Sequence, residues 1–287
     1  MSQSYRAIDT RSGRKVVLKV PFADLFQSPT ATDRFEREIA IGQQLRHPAI
    51  QRTLATGRID GTAAPFLVLE YVEGESFRTF LDQSGPLPSD QAIDFVLQIA
   101  RAIAYCHECG VVHRDLKPEN LIITAEGRLW LLDFGTALLQ AARRVTWGRL
   151  MSAIGTPVYM APEQVQGERG DARTDVYALG MILFEMLAGR LPYYRADALT
   201  VMKEHLLSEA PRLRALRDDV APALDFVVAK AIRRDPMERY ESAAAMVQDL
   251  EHLDQVDLAT ARWNKGHNSR HRNVTLRELF GRLKTRS

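Results

Sequence analysis

The chain has 287 residues, 38 Lys+Arg against 36 Asp+Glu, and a formal net charge of +2. With 46% hydrophobic and 26% charged residues it is not a wholly disordered chain, and its length suits one large domain or two lobes. Its two cysteines, Cys106 and Cys109, exclude a disulfide scaffold.

No stretch reaches the roughly 18 uncharged apolar residues of a membrane span. The N-terminal stretch has no apolar h-region. The expected location is therefore the cytoplasm.

In chain order, the first seventy residues read mostly as strands: 4–9, 15–20, 54–60 and 65–71, rich in β-branched and aromatic residues. Gly13 and Gly61 mark the turns within each pair. One helix, 33–45, interrupts them and is closed by His47-Pro48, because proline disfavours helix immediately before itself. After Gly74 the pattern turns helical. Ile93, Val96, Leu97, Ala100, Ile103 and Ala104 recur at helical spacing within 89–108. Further helices are expected at 172–188, 196–208, 221–233 and 242–253. The fold class is α+β with two lobes.

The densest chemical signal is Val112-His113-Arg114-Asp115-Leu116-Lys117-Pro118-Glu119-Asn120, followed by Asp133-Phe134-Gly135, Gly155-Thr156-Pro157 and Ala161-Pro162-Glu163. Upstream, Val16-Val17-Leu18-Lys19 lies in a strand and Glu38 in the first helix. This order and spacing resemble the protein-kinase signature set. The wording YMAPEQ, RTDVYALG and RRDPMERY is most similar to the bacterial eukaryotic-like serine/threonine kinases. The resemblance runs from Tyr5 to about Asp254.

The resemblance implies a two-lobed kinase fold that uses ATP and Mg²⁺ on protein substrates. Asp115 matches the carboxylate that accepts the substrate hydroxyl proton, and Lys117 the lysine on the γ-phosphate. Asn120 and Asp133 match the metal-binding positions, whose hard oxygens suit Mg²⁺. Lys19 matches the lysine on the α/β-phosphates and Glu38 its ion-pair partner. Leu69 matches the gate of the adenine pocket, Glu70 to Val72 the hinge, and Ile122 a further ATP-binding position. The wording after Asp115 favours serine and threonine over tyrosine. Asp175 and the pair Glu163–Arg239 match positions that brace the large lobe.

The stretch 136–160 has no acid but carries Arg143, Arg144 and Arg149. A phosphate there would add about −1.5 to −2 charge and order the loop against arginines such as Arg114. Thr146 and Ser152 are the candidate phosphosites. Thr156 matches the loop threonine that touches the catalytic Asp and Lys.

The sequence departs from the family at its start. The glycine-rich loop G-x-G-x-x-G-x-V would end at Ser4, which places its earlier glycines before Met1, and no such motif occurs elsewhere. Val17 stands where a small alanine is usual. Gly42, one turn beyond Glu38, replaces an apolar side chain, and a mid-helix glycine costs about 1 kcal/mol relative to alanine. That predicts an easily displaced helix. Two readings follow: an active kinase whose start lies further upstream, or a pseudokinase scaffold with weak nucleotide binding.

The expected units are an incomplete N-lobe at 1–72, a C-lobe at 73–258 and a basic tail at 259–287. Residues 261–287 hold eight Lys/Arg and the single acid Glu278, a net +7 that leaves −5 on the rest. Thr275 with Glu278 makes a capping-box pattern, and Leu276, Leu279, Phe280 and Leu283 share one helical face. The tail could dock on the kinase body, bind a partner or lie on an anionic membrane surface; nucleic acid is the weakest reading. Cys106-His107-Glu108-Cys109 resembles half a zinc site without its second pair.

Overall fold

A computed structural model describes residues 2–22, 29–61, 64–139, 157–193 and 197–258. Strands β1 (Ser2–Ile8), β2 (Lys15–Pro21), β3 (Thr53–Arg58) and β4 (Pro65–Glu70) form one antiparallel sheet in the order β1-β2-β4-β3. Gly13, at φ 71, lets the β1–β2 connection turn back within a few residues. β1 is an edge strand and is largely exposed, whereas Val16 and Lys19 of β2 are buried.

Helix α1 (Pro29–Gln44) packs on this sheet. It starts four residues earlier than the apolar spacing predicts, because Pro29 opens a first turn in which the missing N–H costs nothing. Phe35, Glu38 and Ile41 turn to its buried side. Gly42 is where α1 crosses β3: a Cβ there would collide with the Thr53 hydroxyl. The glycine therefore serves close approach between helix and sheet, a role the sequence expectation of an easily displaced helix does not include.

The second lobe begins with β5 (Glu75–Ser76) and α2 (Phe77–Ser84), then α3 (Ser89–Glu108), which has the bounds its periodicity predicts. Short strands β6 (Val111–Val112), β7 (Leu121–Ile123), β8 (Leu129–Leu131) and β9 (Leu138–Leu139) frame the loops between them. β7 and β8 pair antiparallel, with Ile122 opposite Trp130. Then come α4 (Pro162–Val165), α5 (Ala172–Ala188), α6 (Ala198–Leu207), α7 (Pro222–Ala231) and α8 (Ala243–Glu251).

α5 is the axis of this lobe. Asp171 caps its first turn by accepting from the Arg173 N–H, and Gly189 closes it at φ 66. Between those caps nearly every side chain is buried, so its sequence is apolar all round rather than striped. α3, α7 and α8 pack around it. Among the described residues, no helix is long and apolar enough to cross a membrane.

Candidate functional site

The site lies where the sheet meets the loops of the helical lobe. Lys19 enters it from β2: alternation along the strand puts it on the same face as Val17, opposite Val16, and its side chain is buried. Its Nζ donates to Glu38 Oε1 at 2.5 Å and to Asp133 Oδ1 at 2.7 Å. One ammonium thus joins β2, α1 and the loop after β8. Lys19 and Glu38 are nearly sealed from solvent, while the Asp133 side chain keeps 46% of its exposure.

The electrostatics follow from that geometry. Burial would lower the Lys19 ammonium, but the Glu38 and Asp133 carboxylates outweigh it and hold it raised. Burial pushes Glu38 up to about 7, with Lys19 pulling the other way and Asp133 adding to the rise. Asp133 ends lowered: burial is outweighed chiefly by Lys19, with the Gly135 N–H helping. Asp133 sits at φ 56, in the left-handed region, and its Oδ1 accepts the Gly135 N–H at 2.8 Å. Gly135 leaves a side chain little room: a Cβ would stand 3.0 Å from Asp133 Oδ1 and 3.2 Å from Glu38 Oε2, so both carboxylates would have to give way.

Asp115, Lys117 and Asn120 form the second cluster. Lys117 Nζ donates to both Asp115 oxygens at 2.9 Å. Asn120 Nδ2 donates to the Asp115 carbonyl at 2.7 Å and to its Oδ2 at 3.1 Å. The Asn120 carbonyl accepts the Leu132 N–H at 2.9 Å, which fixes this loop against the one carrying Asp133. The Asn120 amide oxygen and the half-exposed Asp133 carboxylate are hard donors of the kind Mg²⁺ prefers, so the residues present fit that ion.

The backbone between these clusters is strained and then braced. Arg114 sits at φ 70, costly for a non-glycine residue. Fully buried Asp175 on α5 holds it: Oδ1 accepts the Arg114 N–H and Oδ2 the His113 N–H, both at 2.8 Å. His107 Nε2 lies 2.9 Å from the same Oδ2. Burial would raise the Asp175 carboxyl, but His107, His113 and the Arg114 N–H hold it lowered. The His113 ring packs edge-on to Phe134 at 5.1 Å, and its partners require the Nε2–H tautomer, donating to the Leu132 carbonyl.

Glu163 and Arg239 meet in a two-pronged pair at 2.8 Å, buried, with Arg239 over the Tyr177 ring. Gln164 Nε2 donates to the Arg114 carbonyl at 2.8 Å, a tie between α4 and the loop before Asp115 that spacing alone does not announce. Nor does spacing reveal the cluster in which Arg78 of α2 donates to Glu185 of α5 at 2.7 Å and Tyr159 donates to the same carboxylate.

Of the residues expected at the hinge, Leu69 pairs with Val17 across the β2–β4 ladder, and Tyr71 and Val72 are half-buried. The Glu70 carbonyl already accepts from Gln51 Nε2 at 2.8 Å, which the sequence reading did not foresee. Ile122 is half-buried. Thr146, Ser152 and Thr156 lie outside the described residues, as does the tail 259–287. Among the described residues no group of three or more His, Cys, Asp or Glu could hold a metal ion, and buried Cys106 has its thiol pushed far up by burial.

Residues 1–250 match a family model described as the protein kinase domain. A probable serine/threonine-protein kinase of Streptomyces coelicolor is 36% identical over 253 residues, covering 88% of this chain and 38% of that protein. The serine/threonine-protein kinase PknB of Mycobacterium leprae is 37% identical over 253 residues, covering 87% and 40%. That of Mycobacterium tuberculosis is 36% identical over 252 residues, again covering 87% and 40%. The chain thus spans about two fifths of the length of the curated relatives it matches.

Proposed function

Because the chain belongs to the protein kinase domain family, we propose that it transfers the γ-phosphoryl group of ATP to Ser or Thr hydroxyls of protein substrates. The observation that carries this reading is the shared ammonium of Lys19, bonded at once to Glu38 and Asp133. Phosphoryl transfer depends on charge neutralisation and positioning more than on covalent help. A buried lysine held between two carboxylates on separate elements is already positioned to meet phosphate oxygens.

Asp115 is the acceptor of the substrate hydroxyl proton. Lys117, bonded to both of its oxygens, swings onto the γ-phosphate as the nucleotide enters. Asn120 keeps the Asp115 side chain aimed by donating to its carbonyl and carboxylate. Asn120 and Asp133 would hold Mg²⁺, which when bound neutralises phosphate charge. Hinge residues Glu70 to Val72, with Leu69 and Ile122 beside them, take the adenine; the Glu70 carbonyl has a second lone pair beyond the one Gln51 uses. The 136–160 stretch regulates the enzyme through phosphorylation of Thr146 or Ser152 read by Arg114, and Thr156 is the loop threonine that meets Asp115 and Lys117.

One observation favours a scaffold reading with weak nucleotide binding: β1 is exposed at the sheet edge, with no further strand beside it among the described residues. Nucleotide binding separates the two. This chain and one extended upstream are titrated with Mg-ATP by calorimetry, with Lys19→Met as control. Binding by either chain that Lys19→Met abolishes supports the kinase; no binding by either overturns it.

A further inference from the structure

A cavity of about 340 Å³ lies against the hinge; it shares Glu70 to Val72 with the proposed adenine site, while neither Lys19, Asp115 nor Asp133 lines it. Tyr71, Val72 and Gly74 make one wall, Trp130 another, and Ala125 and Glu126 of the β7–β8 turn close the rim. Gly74 presses so tightly on β7 that a Cβ would collide with the Ile123 carbonyl, which keeps hinge and hairpin together. Trp130 is only half-buried, so the cavity offers an aromatic face.

The rim is acidic. Glu73 and Glu126 are exposed. Glu73 pairs with Lys15, but at 76% and 52% exposure that pair is worth little and can exchange for another cation. The cavity therefore suits an apolar or aromatic side chain flanked by Arg or Lys.

This chain carries such a segment after its last described residue. Gln98 of α3 donates to the Gly127 carbonyl at 3.2 Å and accepts the Leu129 N–H at 2.9 Å, which ties the hairpin turn to α3. One turn along α3, Arg101 pairs with Glu251 at the end of α8 at 2.6 Å. The end of α8 thus sits one α3 turn from the hairpin turn, and residues 252–258 carry the chain on to the last described position. Exposed Asp94, on the same face of α3, extends the acidic lane. Residues 259–287 follow, net +7 with Trp263, Leu276 and Phe280 among their cations. At about 3.3 Å per extended residue their reach far exceeds the gap. Tethering at millimolar effective concentration makes even a weak contact populated.

We propose that the basic segment 259–287 docks in cis into this hinge cavity, its cations on Glu73 and Glu126 and an apolar side chain on Trp130. The test uses the intact chain with Trp147→Phe and Trp263→Phe, so that Trp130 alone fluoresces, and reads quenching by acrylamide. Charge reversal in the tail (Arg262→Glu, Lys265→Glu, Arg270→Glu, Arg272→Glu) should raise the quenching constant about twofold at low salt, as should high salt in the parent chain. Glu126→Lys, at an exposed turn, should do the same, and combining it with the reversed tail should restore shielding. Equal quenching in all four chains overturns the proposal. Shielding lost on dilution, the mark of a second copy's tail, or shielding seen only with anionic vesicles, overturns it as well.

Discussion

Lys19 and Glu38 meet at 2.5 Å, both nearly sealed from solvent, across a strand and a helix that share no other ion pair among the described residues. Breaking a buried pair from one side leaves an uncompensated charge, at about 3–5 kcal/mol. Lys19→Met should therefore destabilise the fold more than Glu38→Gln, because it strands two carboxylates, Glu38 and Asp133. Denaturant unfolding of both variants checks the order.

The same pair predicts a pH response. Folding raises the Glu38 carboxyl from 4.5 to about 7, so its contribution to stability is fully present below 4.5 and is lost as pH rises through about 7. Stability profiles across that window should be flatter for Glu38→Gln than for the parent chain.

Gly42 and Thr53 make a second test. Alanine at 42 would gain about 1 kcal/mol of helix propensity, but its Cβ collides with the Thr53 hydroxyl, which would have to turn away. Overpacking costs about 1–3 kcal/mol. Gly42→Ala should be neutral to destabilising and should weaken nucleotide binding by displacing Glu38. Adding Thr53→Ala should recover both in a double-mutant cycle.

Asp175→Ala should cost about 2–5 kcal/mol, since it leaves the buried His113 and Arg114 N–H groups without an acceptor. It should also release Arg114 from its left-handed conformation. Hydrogen exchange at 113–115 should rise well beyond the change in global stability.

His205 gives an acid limit. Burial lowers it from 6.5 to about 4, and Tyr177 shares its Nδ1. The depressed group supports stability above 6.5 and loses it as pH falls through about 4, a swing of about 3 kcal/mol. His205→Gln should melt at lower temperature near neutrality, with a smaller further loss on acidification.

Much of this was legible because the chemistry is local in the chain. Asp115, Lys117 and Asn120 fall within six residues, and the structure brings them into one cluster. α3 and α5 kept their expected bounds, since their apolar runs end at clear stops, Gly110 and Gly189. The β7–β8 hairpin escaped notice because three-residue strands carry too little periodicity. Gln51 on the Glu70 carbonyl, Gln164 on the Arg114 carbonyl and Arg78 on Glu185 are contacts between distant segments, invisible to spacing. Gly42 misled because propensity describes a lone helix, and here the sheet decides the residue.

The most direct measurement is phosphate incorporation from labelled Mg-ATP into a protein substrate, followed by phosphoamino-acid analysis, for the parent and Asp115→Asn chains. The account predicts phosphoserine or phosphothreonine from the parent, extended upstream if its nucleotide binding requires it, and a drop of about 10²-fold or more in the variant. Equal incorporation by the two chains, or label on tyrosine alone, would contradict it.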